Sequence, residues 1–475
     1  MNYGSKWQRT LYFGMPYLAK NLLGTAYGLD QRRKRYGKYF SAAIEFLSAS
    51  QNWDNEKLRA YQADRISEFL EESVRTTPFY SGQPAYSRLR ATLALKDAPI
   101  LSKGTVRAHL SECYAGNTAQ YKPVWAHTSG TTGKSLIFPL SQSCFQREYA
   151  FRTLHYKWCG MDAQSREPVA ICQGHPVAHY DRQTPPYWIR DYANNFLILS
   201  SYHLSHANLP AYARALDSFQ PMMITGYPSS AYLLAVAYQR HGKGSLRLRG
   251  VYTTSETLFE SQRKTIGEAF QCRVFDWYGN SEMCGNIVEC EYGERHLKYE
   301  HSALEIVDES VNPVPPGGTG RLLCTGFGNS AFPLVRYDIG DVVTISESQT
   351  ARCGRGGLLV DRIMGRVEDY VIAANGRMVG RLDHLFKDSQ NVIEAQVAQT
   401  VPGEVVLRVV RTSDYGLKDE LAIREEAALR LGSDTEIAFE YVDSIRRGKN
   451  GKFQFVISNV AGQSQDKAPD LMNTH

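Results

Sequence analysis

The chain has 475 residues, enough at about 150 residues per domain for two or three domains and a large core without disulfide staples. Its 43% hydrophobic and 22% charged residues are ordinary for a globular protein, and a net charge of +5 is too small at this size to mark a nucleic-acid binder. Nine scattered cysteines, odd in number and without a Cys-x-x-Cys pair, predict reduced thiols and a cytoplasmic protein. No apolar run approaches the roughly 18 residues of a transmembrane helix, and the N-terminus lacks the continuous apolar core of a signal peptide.

Residues 6–28 mix Trp7, Leu11, Tyr12, Phe13, Leu18, Leu22 and Leu23 with Lys6, Arg9 and Lys20, and Arg32, Arg33, Lys34 and Arg35 follow. Gly14 and Pro16 interrupt the pattern. A packed helical segment is expected here, with a peripheral membrane contact through residues 6–35 as the alternative. Over residues 54–75, Leu58, Tyr61, Ile66, Phe69 and Leu70 recur at helical spacing, and Pro78 ends the pattern. Residues 100–115 read as a further short helix.

From 121 to 345 short apolar runs alternate with helical stretches. Residues 169–172, 196–199, 251–252 and 274–275 read as strands, and 210–220, 229–241 and 258–270 as helices. Such alternation predicts parallel sheet with crossover helices, and ligands in such sheets sit at the carboxyl ends of the strands. Gly317–Gly320 is a turn before the strand Arg321–Thr325. Beyond residue 366 the texture changes to short strands, a hairpin signal at Asn375-Gly376, and a charged helix over 416–431 between strands near 404–411 and 436–442. The expected fold class is α/β: a large domain of mixed and parallel sheets plus a small α+β domain. The expected divisions are 1–120 as an N-terminal helical segment of the large domain, 121–365 as its α/β core, 366–461 as the small domain, and 462–475 as a disordered tail.

The loop Thr128-Ser129-Gly130-Thr131-Thr132-Gly133-Lys134 gathers four hydroxyls, two glycines and a lysine. That composition suits a phosphate, because glycine admits close backbone approach while hydroxyls, N–H groups and a cation supply donors and charge. A Walker A loop is disfavoured, since Thr128 stands where its first glycine belongs and Leu136–Leu140 reads as a strand rather than a helix. Ser129 to Gly133 instead resemble the signature Ser-Gly-Thr-Thr-Gly of the adenylate-forming enzymes.

Four further segments resemble that family in its order. Trp277-Tyr278-Gly279-Asn280-Ser281-Glu282 is similar to its Tyr-Gly-x-Thr-Glu motif. The resemblance implies that Tyr278 stacks on adenine beside Gly279, that Ser281 contacts phosphate, and that Glu282 helps hold Mg²⁺. Tyr337–Asp341 is similar to Tyr-Arg-Thr-Gly-Asp, implying that Asp341 binds the ribose hydroxyls, while Asp338 and Ile339 depart from the pattern. Gly365–Asp369 is similar to the hinge motif, with Arg366 expected at the ribose or phosphate and Glu368 where the hinge aspartate stands. Arg446–Lys452 resembles the C-terminal Gly-Lys loop, implying Lys452 as the catalytic lysine and Lys449 as the fallback. Thr254–Thr257 corresponds to the segment beside adenine, which places Ser255 and Glu256 with the nucleotide. Thr77–Tyr80, Ser200–Leu204, Gly226–Ser229 and Phe332–Tyr337 look like the phenylacetate–CoA ligase-like branch, most of all its capsular polysaccharide biosynthesis (CapK) group, across nearly the whole chain.

Some members of that branch hold Zn²⁺ through Cys-x₅-His and a later Cys-x-Cys-Gly-Arg. Cys290, His296 and Cys353 match, but Ala351 takes the fourth position. Three ligands read as an eroded, empty site, with an occupied one as the alternative. Tyr202, His203, Tyr227 and Pro228 are expected on the acyl side of the pocket. The reaction implied is ATP- and Mg²⁺-dependent adenylation of a small carboxylic acid, then acyl transfer to coenzyme A, a carrier thiol or a sugar amine. Two other readings stay open: a binding protein on a decayed ligase fold, and a membrane-associated assembly factor for polysaccharide synthesis. The acid, the acceptor and the oligomeric state are not legible.

Overall fold

The computed structural model describes residues 6–127, 136–364, 371–443 and 456–460, apart from positions 163, 180, 181, 205, 206, 257, 259, 380, 381, 387, 388, 390 and 459. The chain divides into two compact units, whose described residues fall within 6–127 with 136–364, and within 371–443 with 456–460.

The first unit opens with helices α1 (Lys6–Gly14), α2 (Tyr17–Arg35), α3 (Lys38–Ser50) and α4 (Asn55–Thr76). The Asp54 side chain caps α4 by accepting from the Lys57 amide at 2.8 Å, and Thr77, held extended by Pro78, ends it. Leu58, Phe69 and Leu70 lie buried on its inner face, as their spacing predicts. Three short helices follow, α5 (Pro78–Gly82), α6 (Ser87–Thr92) and α7 (Lys103–Ala108). The helix expected over 100–115 is thus only six residues long. Beyond it the backbone pairs elsewhere: the Glu112 carbonyl accepts from the Phe79 amide and the Ala115 amide donates to Ala331.

Strands β1 (Val124–His127) and β2 (Ile137–Leu140) pair antiparallel, His127 opposite Ile137, so a strand does follow the hydroxyl loop. Helix α8 (Gln142–Trp158) leads into β3 (Val169–Gln173), β4 (Trp188–Asp191) and β5 (Phe196–Ser200). Three crossover units complete the pattern: α9 (Leu209–Phe219) to β6 (Met223–Gly226), α10 (Pro228–His241) to β7 (Gly250–Thr254), and α11 (Glu260–Phe270) to β8 (Arg273–Gly279). Strands β9 (Asn286–Glu289), β10 (Arg295–Leu297), β11 (Ser302–Val307), β12 (Thr319–Gly326), β13 (Tyr337–Ile345) and β14 (Leu359–Met364) finish the unit.

These strands form one 12-stranded sheet in the order β11-β12-β13-β14-β10-β9-β8-β7-β6-β3-β5-β4. The run β8-β7-β6-β3-β5 is parallel throughout, and every other pairing in the sheet is antiparallel. The parallel run is covered on both faces, as its near-continuous apolar strands require. Ile224, Val251 and Val274 pack toward Leu216, Leu234 and Ile266 of α9–α11. Their neighbours Met223, Tyr252 and Phe275 pack on the other side with Phe40 and Leu47 of α3 and Phe151 and Leu154 of α8. Each fully buried side chain of this kind contributes about 1.5–3 kcal/mol.

The second unit holds β15 (Val371–Ile372), β16 (Met378–Val379), β17 (Val392–Val401), β18 (Glu404–Arg411), α12 (Leu417–Leu431), β19 (Glu436–Tyr441) and β20 (Val456–Ser458). Strands β15 and β16 form the hairpin that Asn375-Gly376 signals, with Gly376 at φ +74°. The other four make a sheet in the order β19-β18-β17-β20, on which α12 packs Ile423, Ala427 and Leu431.

On α8, Glu148 is nearly fully buried and ties the helix to the sheet. It accepts from Arg152 at 3.2 Å, from Asn286 at 3.0 Å and from the His301 ring at 3.2 Å. Burial alone would raise its carboxyl, but His301, Arg152 and Asn286 outweigh that and bring it down to about 2. A folded pKa below the unfolded one gives stability that is present above about pH 4.3 and lost as pH falls toward the folded value. Glu148→Gln is therefore expected to cost about 2–3 kcal/mol at neutral pH in urea unfolding, with the gap to the parent closing progressively below about pH 4.3. A gap that does not change with pH contradicts the ionised assignment.

Candidate functional site

The carboxyl ends of the parallel strands gather most of the residues that the sequence marks. Tyr278 and Gly279 close β8, with Ser281 and Glu282 in the turn after it. Ser255 and Glu256 follow β7, and Tyr227 and Pro228 follow β6. Tyr202 and His203 follow β5, which neighbours β3. These strands run parallel because each feeds a helix that crosses back over the sheet, so their ends open on one edge. At Gly226 no side chain fits, since a Cβ there would collide with the Cys172 carbonyl of β3. Ser255 takes a left-handed φ of +73°, a strained setting for a residue with a Cβ, as functional turns often impose.

Two phenols connect this edge to β13. Tyr278 donates to Asp341 Oδ2 at 2.6 Å, and burial together with the Asp341 charge holds its own ionisation well above the usual range. Tyr337 donates to Glu282 Oε1 at 3.1 Å. Glu282 is only 6% exposed, and a carboxylate buried to that degree calls for a cation or further donors. The chemistry of that position therefore fits a hard metal ion.

The departures in the β13 motif have structural partners. Asp338 pairs with Arg321 at 2.8 Å and accepts from the Gly340 amide at 3.0 Å, and Ile339 is buried in the core.

His203 stands in the turn after β5 with both ring nitrogens bonded. Its Nδ1 accepts from the Ser200 hydroxyl at 2.8 Å and its Nε2 donates to the His179 carbonyl at 2.9 Å, with Tyr187 stacked on the ring at 4.9 Å. Both nitrogens are committed to the protein, so His203 fixes the loop rather than presenting a reactive atom. Tyr202 donates to the Gly174 carbonyl at 3.3 Å. The next residue, His175, is one that sequence reasoning passed over, although Gly174-His175-Pro176 directly follows β3. Burial pushes its ring down to about 4, which keeps it neutral at pH 7.

Thr128, Ser129, Gly130, Thr131, Thr132, Gly133 and Lys134 lie outside the described residues, as do Thr257, Arg366, Glu368, Lys449 and Lys452.

Away from the strand ends, Cys290, His296 and Cys353 do come together, and Glu294 joins them. Their ligating atoms all lie within 4.8 Å of one another. Cys353 Sγ is 3.3 Å from His296 Nε2, and Cys290 Sγ is 3.8 Å from Glu294 Oε2. Ligands of a tetrahedral zinc at about 2.0–2.3 Å stand roughly 3.3–3.8 Å apart, so these distances fit. His296 Nδ1 donates to the Gly356 carbonyl at 3.3 Å, which leaves Nε2 as the ligating atom. The Tyr292 amide donates to Cys290 Sγ at 3.4 Å. Beside the three ligands expected from the sequence, Glu294 is a fourth candidate, its carboxylate also paired with Arg352 at 2.9 Å. Glu294 was missed because its place depends on pairing: Glu289 stands opposite Arg295, and the turn at Gly293, φ +82°, brings positions 290 and 294 together.

Comparison with known proteins bears on the fold. The CapK C-terminal domain family matches residues 371–459. Protein CapK of Staphylococcus aureus is 25% identical over 463 residues, covering 95% of this chain and 99% of its own. Phenylacetate-coenzyme A ligase of Thermus thermophilus is 31% identical over 164 residues, 33% of this chain and 37% of its own. Among solved structures, 2-hydroxyisobutyryl-CoA ligase in complex with 2-HIB-AMP and CoA aligns with a TM-score of 0.54 at 17% identity, over 87% of this chain and 91% of that one. The fold, the full-length relative and the C-terminal match converge: the chain is CapK-like along nearly its whole length and carries the fold of the adenylate-forming CoA ligases.

Proposed function

We propose that this chain is an AMP-forming ligase that adenylates a small carboxylic acid with ATP and passes the acyl group to a thiol or an amine. The observation that carries this reading is the bond between Tyr278 and Asp341 at the carboxyl end of the parallel strands, beside the Ser255–Glu256 turn and Glu282. Tyr278 offers adenine a π face and Asp341 offers the ribose hydroxyls an acceptor. The acid enters on the side of Tyr202 and Tyr227. Glu282 is the residue that would hold Mg²⁺, which when bound neutralises charge on the phosphates. The hydroxyl loop Thr128–Lys134 and Lys452 then orient the carboxylate and α-phosphate and stabilise the charge that builds on the phosphate oxygens. Coenzyme A is the acceptor favoured by the likeness to CoA ligases. The resemblance of the sequence motifs to the capsular polysaccharide biosynthesis group favours a role in surface-polysaccharide assembly in the cytoplasm, where a sugar amine is the other candidate acceptor.

The test is ATP–pyrophosphate exchange across a panel of carboxylic acids. One acid or class should support exchange in the parent, and Lys452→Ala should lower kcat for exchange by about 10²–10³ while sparing ATP binding. Near-normal exchange in that variant removes Lys452 from the mechanism. No acid-dependent exchange with any acid points to a binding protein on a ligase fold.

The second site supports a structural Zn²⁺ held by Cys290, Glu294, His296 and Cys353. Protein purified without chelator should carry about one equivalent of zinc, as a single four-ligand site requires. Glu294→Ala should lose much of it and lower Tm, since structural metal binding contributes folding energy directly. Metal-free protein with unchanged Tm contradicts the assignment.

A further inference from the structure

Helix α2 is turned the opposite way from an ordinary surface helix. Its inner face is polar and small: Lys20, Asn21 and Gly28 are buried. Asn21 Oδ1 accepts from the Arg190 amide at 2.9 Å, and Thr25 Oγ1 accepts from the Tyr192 amide at 3.1 Å. These bonds cover the backbone of β4, the edge strand of the sheet, which would otherwise expose its amides. The contact is close where the inner face carries glycine. A Cβ at Gly28 would collide with the Asp191 carboxylate, and one at Gly24 would come within 2.9 Å of the Ile189 side chain.

The outer face is therefore where the large apolar residues stand. Leu18 is 69% exposed and Leu22 67%, with Leu23 and Leu29 beside them. Helix α1 adds Trp7 and Leu11, one turn apart and both exposed. Lys20 fixes α1 against α2, donating to the Phe13 carbonyl at 3.1 Å and lying 5.4 Å from the Tyr12 ring centre. An apolar face rimmed by charge on a monomer marks an interaction surface.

Charge decides which one. Residues 6–38 contain eight basic residues and one acid, Asp30, so this segment alone carries more positive charge than the chain's net +5. Asp30 is paired with Lys34 at 2.7 Å. The basic run Arg32–Arg35 forms the last turn of α2, with Arg33 and Lys34 exposed. A second copy of this surface would bring like charge to like charge. An anionic bilayer complements both features, since leucine and tryptophan enter the acyl boundary while lysine and arginine meet the headgroups. No helix among the described residues is long and apolar enough to cross a membrane, so the contact is peripheral.

We propose that α1 and the outer face of α2 dock this protein onto an anionic lipid bilayer. The docked helices lie beside the loops after β3 and β5: Phe13 packs edge-on against the His179 ring at 5.4 Å, and the His179 carbonyl is the one bonded to His203. The bilayer surface is thereby brought to the side of the molecule on which Tyr202 stands, whatever acid or acceptor is used there.

The test is flotation of the full chain with vesicles of phosphatidylcholine alone or with 30% phosphatidylglycerol, roughly the anionic content at which basic segments bind measurably. The parent is expected to float with the anionic vesicles, to remain below with the neutral ones, and to be released by about 0.5 M NaCl, where screening shortens to a few ångströms. Leu18→Glu/Leu22→Glu and, separately, Arg33→Glu/Lys34→Glu are each expected to lower the bound fraction about tenfold or more, because both apolar burial and charge contribute. All four positions are exposed, and unchanged Tm and circular dichroism confirm folding. Failure of the parent to float with either vesicle overturns the proposal. So does flotation of the leucine variant at the parental level. If the leucine variant instead turns a solution dimer into a monomer and the parent ignores vesicles, the face is an interface between copies. None of these outcomes depends on ligase activity.

Discussion

The hydrogen bonds from Tyr278 to Asp341 and from Tyr337 to Glu282 are the joints on which the candidate site depends. The parallel half of the sheet ends in turns, which alone would leave Ser281 and Glu282 on an unanchored loop. The antiparallel half supplies β13, which runs through Tyr337 and Asp341. Each phenol crosses between the halves, so the position of an acidic side chain is set by the sheet rather than by a loop. Precision of this kind is what an enzyme needs when its contribution is orientation and electrostatics.

Much of this was legible in the sequence, for identifiable reasons. Apolar runs of four or five residues alternating with helical stretches mark β3, β5 and the crossover helices because each strand is buried on both faces. Tyr278, Glu282 and Asp341 were marked by resemblance to the family's motifs, and the structure sets Tyr278 at the end of β8, Glu282 in the turn after it and Asp341 within β13. What was hidden depends on partners distant in sequence. Asp338 departs from the family pattern, and its partner Arg321 lies 17 residues earlier on β12. His203 looked like a candidate pocket group, but the His179 carbonyl comes from a loop 24 residues earlier. Glu294 joins Cys290, His296 and Cys353 only through the register of β9 against β10. The helix expected to continue past Ala108 stops where Phe79 and Ala331 claim its backbone groups.

The N-terminal helices show the same limit most plainly. A packed helical segment was the expectation for residues 6–28, and packing of a surface helix ordinarily turns its leucines inward. The inner face is instead set by Asn21, Thr25 and two glycines, because an edge strand needs hydrogen-bond partners and close approach more than it needs apolar cover. Periodicity identifies two faces of a helix. Which one is buried is decided by what the neighbouring element lacks.

The most direct test of the site is nucleotide binding, which requires no knowledge of the acid. Titration calorimetry of ATP with Mg²⁺ into the full chain should give a single site for the parent. Asp341→Ala should weaken it about tenfold or more, the loss expected when hydrogen bonds worth about 1.5–3 kcal/mol to a charged acceptor are removed. Unchanged affinity in that variant, or no ATP binding by the parent, would contradict the placement of the nucleotide at Tyr278 and Asp341.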